Sequence, residues 1–117
     1  MKPVLVSAVP KLAVADIAAG VAFYCEHLGF ECVHADDDTA VLERDRVSLH
    51  LWRCADRVIA DNTACRMEVD GIDALHAHCK AHGVVHPNGA LAFKPWGLRE
   101  FTVLDPQGGA ITFFAGE

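Results

Sequence analysis

The stretch KLAVADIAAGVAFYCEHLGFECV, Lys11 to Val33, returns half a chain later as RMEVDGIDALHAHCKAHGVV, Arg66 to Val85. No other feature restricts the fold as much, because a chain that repeats itself at half-length builds one supersecondary unit twice. Each copy reads as an apolar strand ending at Val14 or Val69 and a helix opening at Ile17 or Ile72. A glycine then follows at 29 or 83, where a left-handed helix C-cap is expected. Ile17, Gly20, Val21, Tyr24 and Leu28 share one helical face at roughly 3.6-residue spacing, as do Ile72, Leu75 and Cys79. Each helix has one side to bury and needs a sheet to bury it on.

The strands after each helix correspond as well. AVLERDRVSLHLW from Ala40 aligns with TVLDPQGGAITFF from Thr102, each reading as strand, four-residue turn, strand, with Asp-Pro and Gly-Gly supplying the second turn. The unit is a strand, a helix and two or three strands. The expected fold class is α+β: two tandem βαβββ modules, about 1–56 and 62–117, within one domain whose sheet curls around a concavity. A length of 117 residues is one domain's worth, enough for an ordinary core.

Composition narrows the function. The chain is 52% hydrophobic and 22% charged, a globular balance, with no apolar run long enough for a bilayer and no signal-peptide pattern. A cytoplasmic protein without a membrane partner is expected. The formal net charge of −6 argues against nucleic acid, whose binding proteins need a basic surface to displace counterions. It permits a cationic ligand, and equally serves ordinary solubility. The five cysteines, at 25, 32, 54, 65 and 79, form no Cys-x-x-Cys pair, so reduced and mostly buried thiols are expected. No nucleophile elbow or phosphate loop is present, and Gly108 and Gly109 fall in a hairpin turn.

The paired modules resemble the vicinal oxygen chelate superfamily, which includes glyoxalase I and ring-cleaving dioxygenases. More closely, SAVPKLAVADIAAGVAFYCEHLGF, VIADNT and PWGLREFTVLDPQG resemble the bleomycin resistance proteins, over nearly the whole chain from Ser7 to Gly108. The motifs FY, LGF and DP-x-G occur across the superfamily, whereas SAVP and PWG-x-REF are more specific to the resistance branch. Enzymes of the superfamily hold a divalent metal with four side chains, one from each of four strands. That match falls here on Val9, His50, Ala64 and Thr112, with the repeat pairing Val9 with Ala64 and His50 with Thr112. One imidazole among four such positions leaves most of the binding energy of zinc or a similar ion unmade, so neither a metal nor any other cofactor is expected.

The resemblance implies a homodimer that exchanges N-terminal strands and sequesters a bleomycin-like glycopeptide in grooves between subunits, unaltered. Pro10 fits such an arm, since a proline removes a ladder donor and is tolerated at an edge or bulge. Carried over by motif, Trp96 stacks on the drug, Asp61 faces its cationic tail, and Trp52, His50 and Glu100 line or flank the groove. Trp52 reads equally as a cap on the core. His50 is either a hydrogen-bonded wall residue or the base of a small-molecule enzyme of the same superfamily, the alternative function. His78 and His82 lie four apart on a helix, as zinc ligands sometimes do, or form a solvated helix side. Asp36, Asp37 and Asp38 read as a solvated hairpin tip. In the hairpin after LGF, where family members carry aromatics, this chain has His34 and Thr39.

Overall fold

The computed structural model describes residues 2–116, so Met1 and Glu117, the outermost residues of the two expected modules, lie outside the described residues. The first module runs β1 (Lys11–Val14), α1 (Ile17–Leu28), β2 (Glu31–Ala35), β3 (Thr39–Arg44) and β4 (Val47–Arg53). A short helix, α2 (Arg57–Asp61), joins it to β5 (Ala64–Glu68), α3 (Ile72–Ala81), β6 (Ala92–Phe93), β7 (Leu98–Leu104) and β8 (Ala110–Gly116). The sheets are ordered β1-β4-β3-β2 and β5-β8-β7-β6, the same arrangement twice, and in each the first strand of the module pairs parallel with its last.

Both helices begin at the expected residues. Asp16 caps α1 by accepting from the Ala19 N–H at 3.0 Å, and Gly29 ends it with φ at 69°, a left-handed conformation that most side chains resist. The buried face of α1 is Ile17, Gly20, Phe23, Tyr24 and Leu28, with Val21 packed at its margin. Ile72 and Cys79 are the buried residues of α3, and Leu75 packs beside them. Strand alternation sends Ala40, Leu42, Leu49 and Leu51 of the first sheet, and Phe101, Val103, Ile111 and Phe113 of the second, into a single core with these helices.

The two turns expected to be equally long differ. Arg44 pairs with Val47, so the first is a two-residue turn of Asp45 and Arg46, tight because Asp45 takes a left-handed φ of 52°. In the second module Leu104 pairs with Ala110, and the loop spans 105 to 109. Aligned by pairing, Ala40 therefore stands opposite Phe101 in the repeat and Thr39 opposite Glu100.

That longer loop fastens the modules together. Asp105 is buried, and its carboxylate accepts from the Tyr24 hydroxyl at 2.8 Å and from the backbone N–H groups of Gln107 and Gly109. Gln107 reaches across to Asp16, accepting its N–H at 2.8 Å and donating to its carbonyl at 3.0 Å. Burial, reinforced by Asp105, raises the Tyr24 phenol far above its ordinary value, so Tyr24 is a neutral donor. The shared DP-x-G motif is thus a clamp between halves as well as a turn.

Residues 2 to 10 precede β1 and lie outside the strands of the single chain. Leu5 is 99% exposed, with Val4 and Val6 close behind, and only the Pro10 carbonyl joins the sheet, accepting from the His50 N–H at 3.0 Å. All five cysteines are free; where mostly buried thiols were expected, Cys54 and Cys79 are buried, Cys25 and Cys65 half-buried and Cys32 exposed.

Candidate functional site

Each sheet turns one face to the shared core and leaves the other open. On the first sheet the open face carries His50 and Trp52 of β4, both half-buried, with Val41 and Thr39 beside them on β3 and Lys11 beside His50 on β1. On the second it carries Thr112 and Phe114 of β8, Glu100 and Thr102 of β7, and Arg66 of β5. His50 pairs with Lys11 and Thr112 with Arg66, so the repeat equivalence of His50 and Thr112 holds in the register.

Trp96 occupies the turn from Lys94 to Gly97 that leads into β7, closed by the Gly97 N–H donating to the Lys94 carbonyl at 3.0 Å. Its ring is 62% exposed. Its indole N–H donates to Glu100 Oε2 at 2.6 Å. Glu100 is only 4% exposed and accepts a two-pronged contact from Arg66, Nη1 to Oε1 at 3.1 Å and Nη2 to Oε2 at 2.8 Å. These Arg66 bonds hold its carboxyl below the ordinary carboxylate range against the opposing pull of burial, and the Trp96 N–H adds to them. The Arg66 guanidinium lies over the Phe114 ring, 4.7 Å from its centroid. Tryptophan, carboxylate, guanidinium and phenyl ring thus form one connected surface.

Of the five residues expected at the site, the structure brings Trp96 and Glu100 together, and places His50 and Trp52 side by side on the other sheet. Asp61 ends α2, paired with Arg57 at 3.1 Å, against Gly108 in the β7–β8 loop. A Cβ at Gly108, whose φ is +98°, would run into the Asp61 carboxylate. Trp96 enters β7 from the opposite end, and seven residues of strand put the two ends about 20 Å apart. Within one chain Asp61 and Trp96 do not share a site.

The residues aligned with metal-binding positions do not fit a metal: Val9, Ala64 and Thr112 provide no strong donor beside His50. The histidine-rich helix does something else. His78 Nε2 hydrogen-bonds the His27 carbonyl and His82 Nδ1 meets His27 Nδ1, both at 2.9 Å, tying the end of α3 to the end of α1. Among the described residues no group of three or more His, Cys, Asp or Glu side chains is arranged to hold a metal ion. The Asp36–Asp38 tip is ordered by its own carboxylates, since Asp36 Oδ1 accepts from the N–H groups of Asp38 and Thr39, each at 2.8 Å.

Arg66 and Phe114 are the residues that sequence reasoning missed. The available signal was parity: Arg66 alternates with Cys65 and Met67, and Glu100 with Phe101 and Val103, so each charge stands on the face away from the core. Parity does not say which charge meets which across the sheet.

Residues 5–113 match the family model described as Glyoxalase/Bleomycin resistance protein/Dioxygenase superfamily. The chain is 38% identical over 127 aligned residues to a bleomycin resistance protein of Geobacillus stearothermophilus, covering 94% of this chain and 96% of that one. Its fold superimposes with a TM-score of 0.88 and 36% identity on the bleomycin-binding protein of bleomycin-producing Streptomyces verticillus, solved with copper(II)-bleomycin, over 99% of this chain and 100% of that one. The fold alone is shared with a lactoylglutathione lyase of Agrobacterium tumefaciens, at a TM-score of 0.77 and 21% identity over 98% and 96% of the two chains. With its duplicated βαβββ frame and these full-length matches, the chain belongs to the glyoxalase/bleomycin resistance protein/dioxygenase superfamily.

Proposed function

We propose that this protein binds a bleomycin-type antibiotic in grooves formed by two copies of the chain and sequesters it without chemistry or metal. The observation that carries this reading is the Trp96 platform: a tryptophan ring left open to solvent, with its N–H already bonded, on a chain similar over its full length to proteins named for binding or resisting bleomycin. Such a ring offers a flat apolar face at low entropic cost. The division of each sheet between core and open face supports the pairing of subunits. Because both sheets spend their inner faces on one core, each open face is half a cup, and a second copy is needed to roof it. The exposed Val4, Leu5 and Val6 supply the exchange, since burying side chains of this size is worth about 1.5–3 kcal/mol each. In the pair, Trp96 and Glu100 of one chain stand opposite His50 and Trp52 of the other, and Asp61 offers its carboxylate to the cationic tail.

Titration with copper-loaded and metal-free bleomycin, with sedimentation at micromolar concentration, tests this. The expected result is a dimer that binds both forms and releases the drug unchanged. A protein that binds neither form sinks the ligand, and a monomer that binds sinks the shared groove.

A further inference from the structure

We propose that Arg66 and Glu100 are positioning residues for Trp96, and that Glu100 does not itself meet the charge of a cationic ligand. The inference rests on the proposed role of Trp96 as a platform and assigns that platform its support.

A ring 62% exposed in a turn has little packing to fix its two side-chain torsions. One directional contact does so, the 2.6 Å bond from its N–H to Glu100 Oε2. Glu100 in turn is anchored. It is buried, both oxygens are held by the planar Arg66 fork, and the Phe114 ring beneath the guanidinium fixes the plane of that fork. The chain of contacts runs from the sheet outward, Phe114 to Arg66 to Glu100 to Trp96. The charge runs the other way. The Arg66 side chain is 49% exposed and that of Glu100 6%, so the pair shows solvent its cation and hides its anion. A positive tail approaching this face meets a neutralised carboxylate behind a guanidinium.

Glu100→Gln separates positioning from charge attraction. Arg66 and Trp96 are both donors only: a glutamine oxygen in the place of Oε2 can accept from Trp96 and from Arg66 Nη2, but the NH2 in the place of Oε1 then faces Arg66 Nη1, so the two-pronged hold that fixes the acceptor is broken and the charge that strengthens both bonds is gone. Labelling with 5-fluorotryptophan gives a 19F signal for each of the two tryptophans, assigned through Trp52→Phe. In ligand-free Glu100→Gln, and in Arg66→Lys, which keeps the charge without the fork, the Trp96 signal should move toward its motionally averaged position. Bleomycin affinity should fall roughly three- to tenfold, the worth of ordering one side chain at an interface. The salt dependence of binding should match the wild type. In a Trp96→Phe background, which lacks the N–H, Glu100→Gln should change affinity less than about twofold. The proposal is overturned if the Trp96 signal is indifferent to both variants, if Glu100→Gln flattens the salt dependence, or if it costs the same affinity in the Trp96→Phe background. A wild-type protein that ignores bleomycin defeats the functional reading instead, and the ligand-free signal then decides the clamp alone.

Discussion

On the first sheet the outer face runs Lys11, His50 and Val41 in one row and Ala13, which is covered, Trp52 and Thr39 in the next; on the second the same rows read Arg66, Thr112 and Thr102, then Glu68, Phe114 and Glu100. Position for position, Trp52 answers Phe114, Lys11 answers Arg66, and Thr39 answers Glu100. The second face closes its diagonal with a charge pair that covers an aromatic ring and reaches out to Trp96. On the first face a threonine stands where that carboxylate would be, and its hydroxyl turns away toward Asp36, 3.3 Å from each carboxylate oxygen. Duplication fixes where side chains stand in the frame. Two changes of residue type, lysine to arginine and threonine to glutamate, separate an aromatic covered by a charge pair from one left to packing.

The largest effect should come from breaking the seam that makes the two faces parts of one body. Asp105→Ala removes a buried acceptor of three donors, stranding the Tyr24 hydroxyl and two backbone N–H groups. Unsatisfied buried donors each carry a penalty of about 1–3 kcal/mol, and local relaxation recovers part of it, so a loss of about 2–4 kcal/mol in urea unfolding is expected. Tyr24→Phe should cost less, because the loop N–H groups still satisfy Asp105. An Asp105→Ala protein within about 1 kcal/mol of wild type would mean that the shared core alone joins the modules.

Next in size is the contrast between the tryptophans. Trp96→Ala should weaken bleomycin binding roughly tenfold to a hundredfold, the usual worth of a stacked ring, while leaving the unfolding midpoint nearly unchanged. Trp52, half-buried on an inner strand, should show the opposite balance on truncation, losing more stability than affinity. Calorimetric titration beside thermal unfolding checks both, and equal affinity losses at equal stability would make the two faces functional equivalents. Asp61→Asn should cost less affinity than Trp96→Ala and flatten the salt dependence, since an exposed charge contact is screened over about 8 Å at physiological salt.

The frame of this comparison was legible in the sequence and its contents were not. The repeat located the first residue of both helices and the Gly29 cap of α1, because a capping residue and an apolar stripe are local signals, whereas α3 ends on His82, one residue before the glycine expected to cap it. It misjudged the β3–β4 turn, because Asp45 adopts a left-handed conformation that is more common in glycine. The helix α2 escaped notice, five residues being too few for a period to show. Trp96 and Glu100 are four residues apart and so could be read together, whereas Arg66 lies 34 residues before Glu100, and only the strand order places it within reach. Asp61 was joined to Trp96 by motif alone, and a strand's length separates them in the chain.

The smallest effect concerns two carboxylates that replace each other as organisers of the two faces. Glu100 is held by a cation on the second sheet, whereas Asp36 holds its hairpin on the first through the backbone N–H groups of Asp38 and Thr39 and then the His34 side chain, which together lower it to about 2. A carboxyl lowered by folding contributes stability that is complete above its unfolded value, near 4, and is lost as pH falls toward its folded value. The advantage of wild type over Asp36→Asn should therefore be constant from neutral pH down to about 5 and shrink progressively between about 4 and 2. Its size is slight, because the side chain is more than half exposed and its bonds compete with water. Urea unfolding of both proteins at matched ionic strength reads the difference. A gap that stayed level from pH 5 to pH 3 would show that the turn is set by backbone geometry and by the Arg53–Asp38 pair beside it, and Asp36 would then be no counterpart to Glu100.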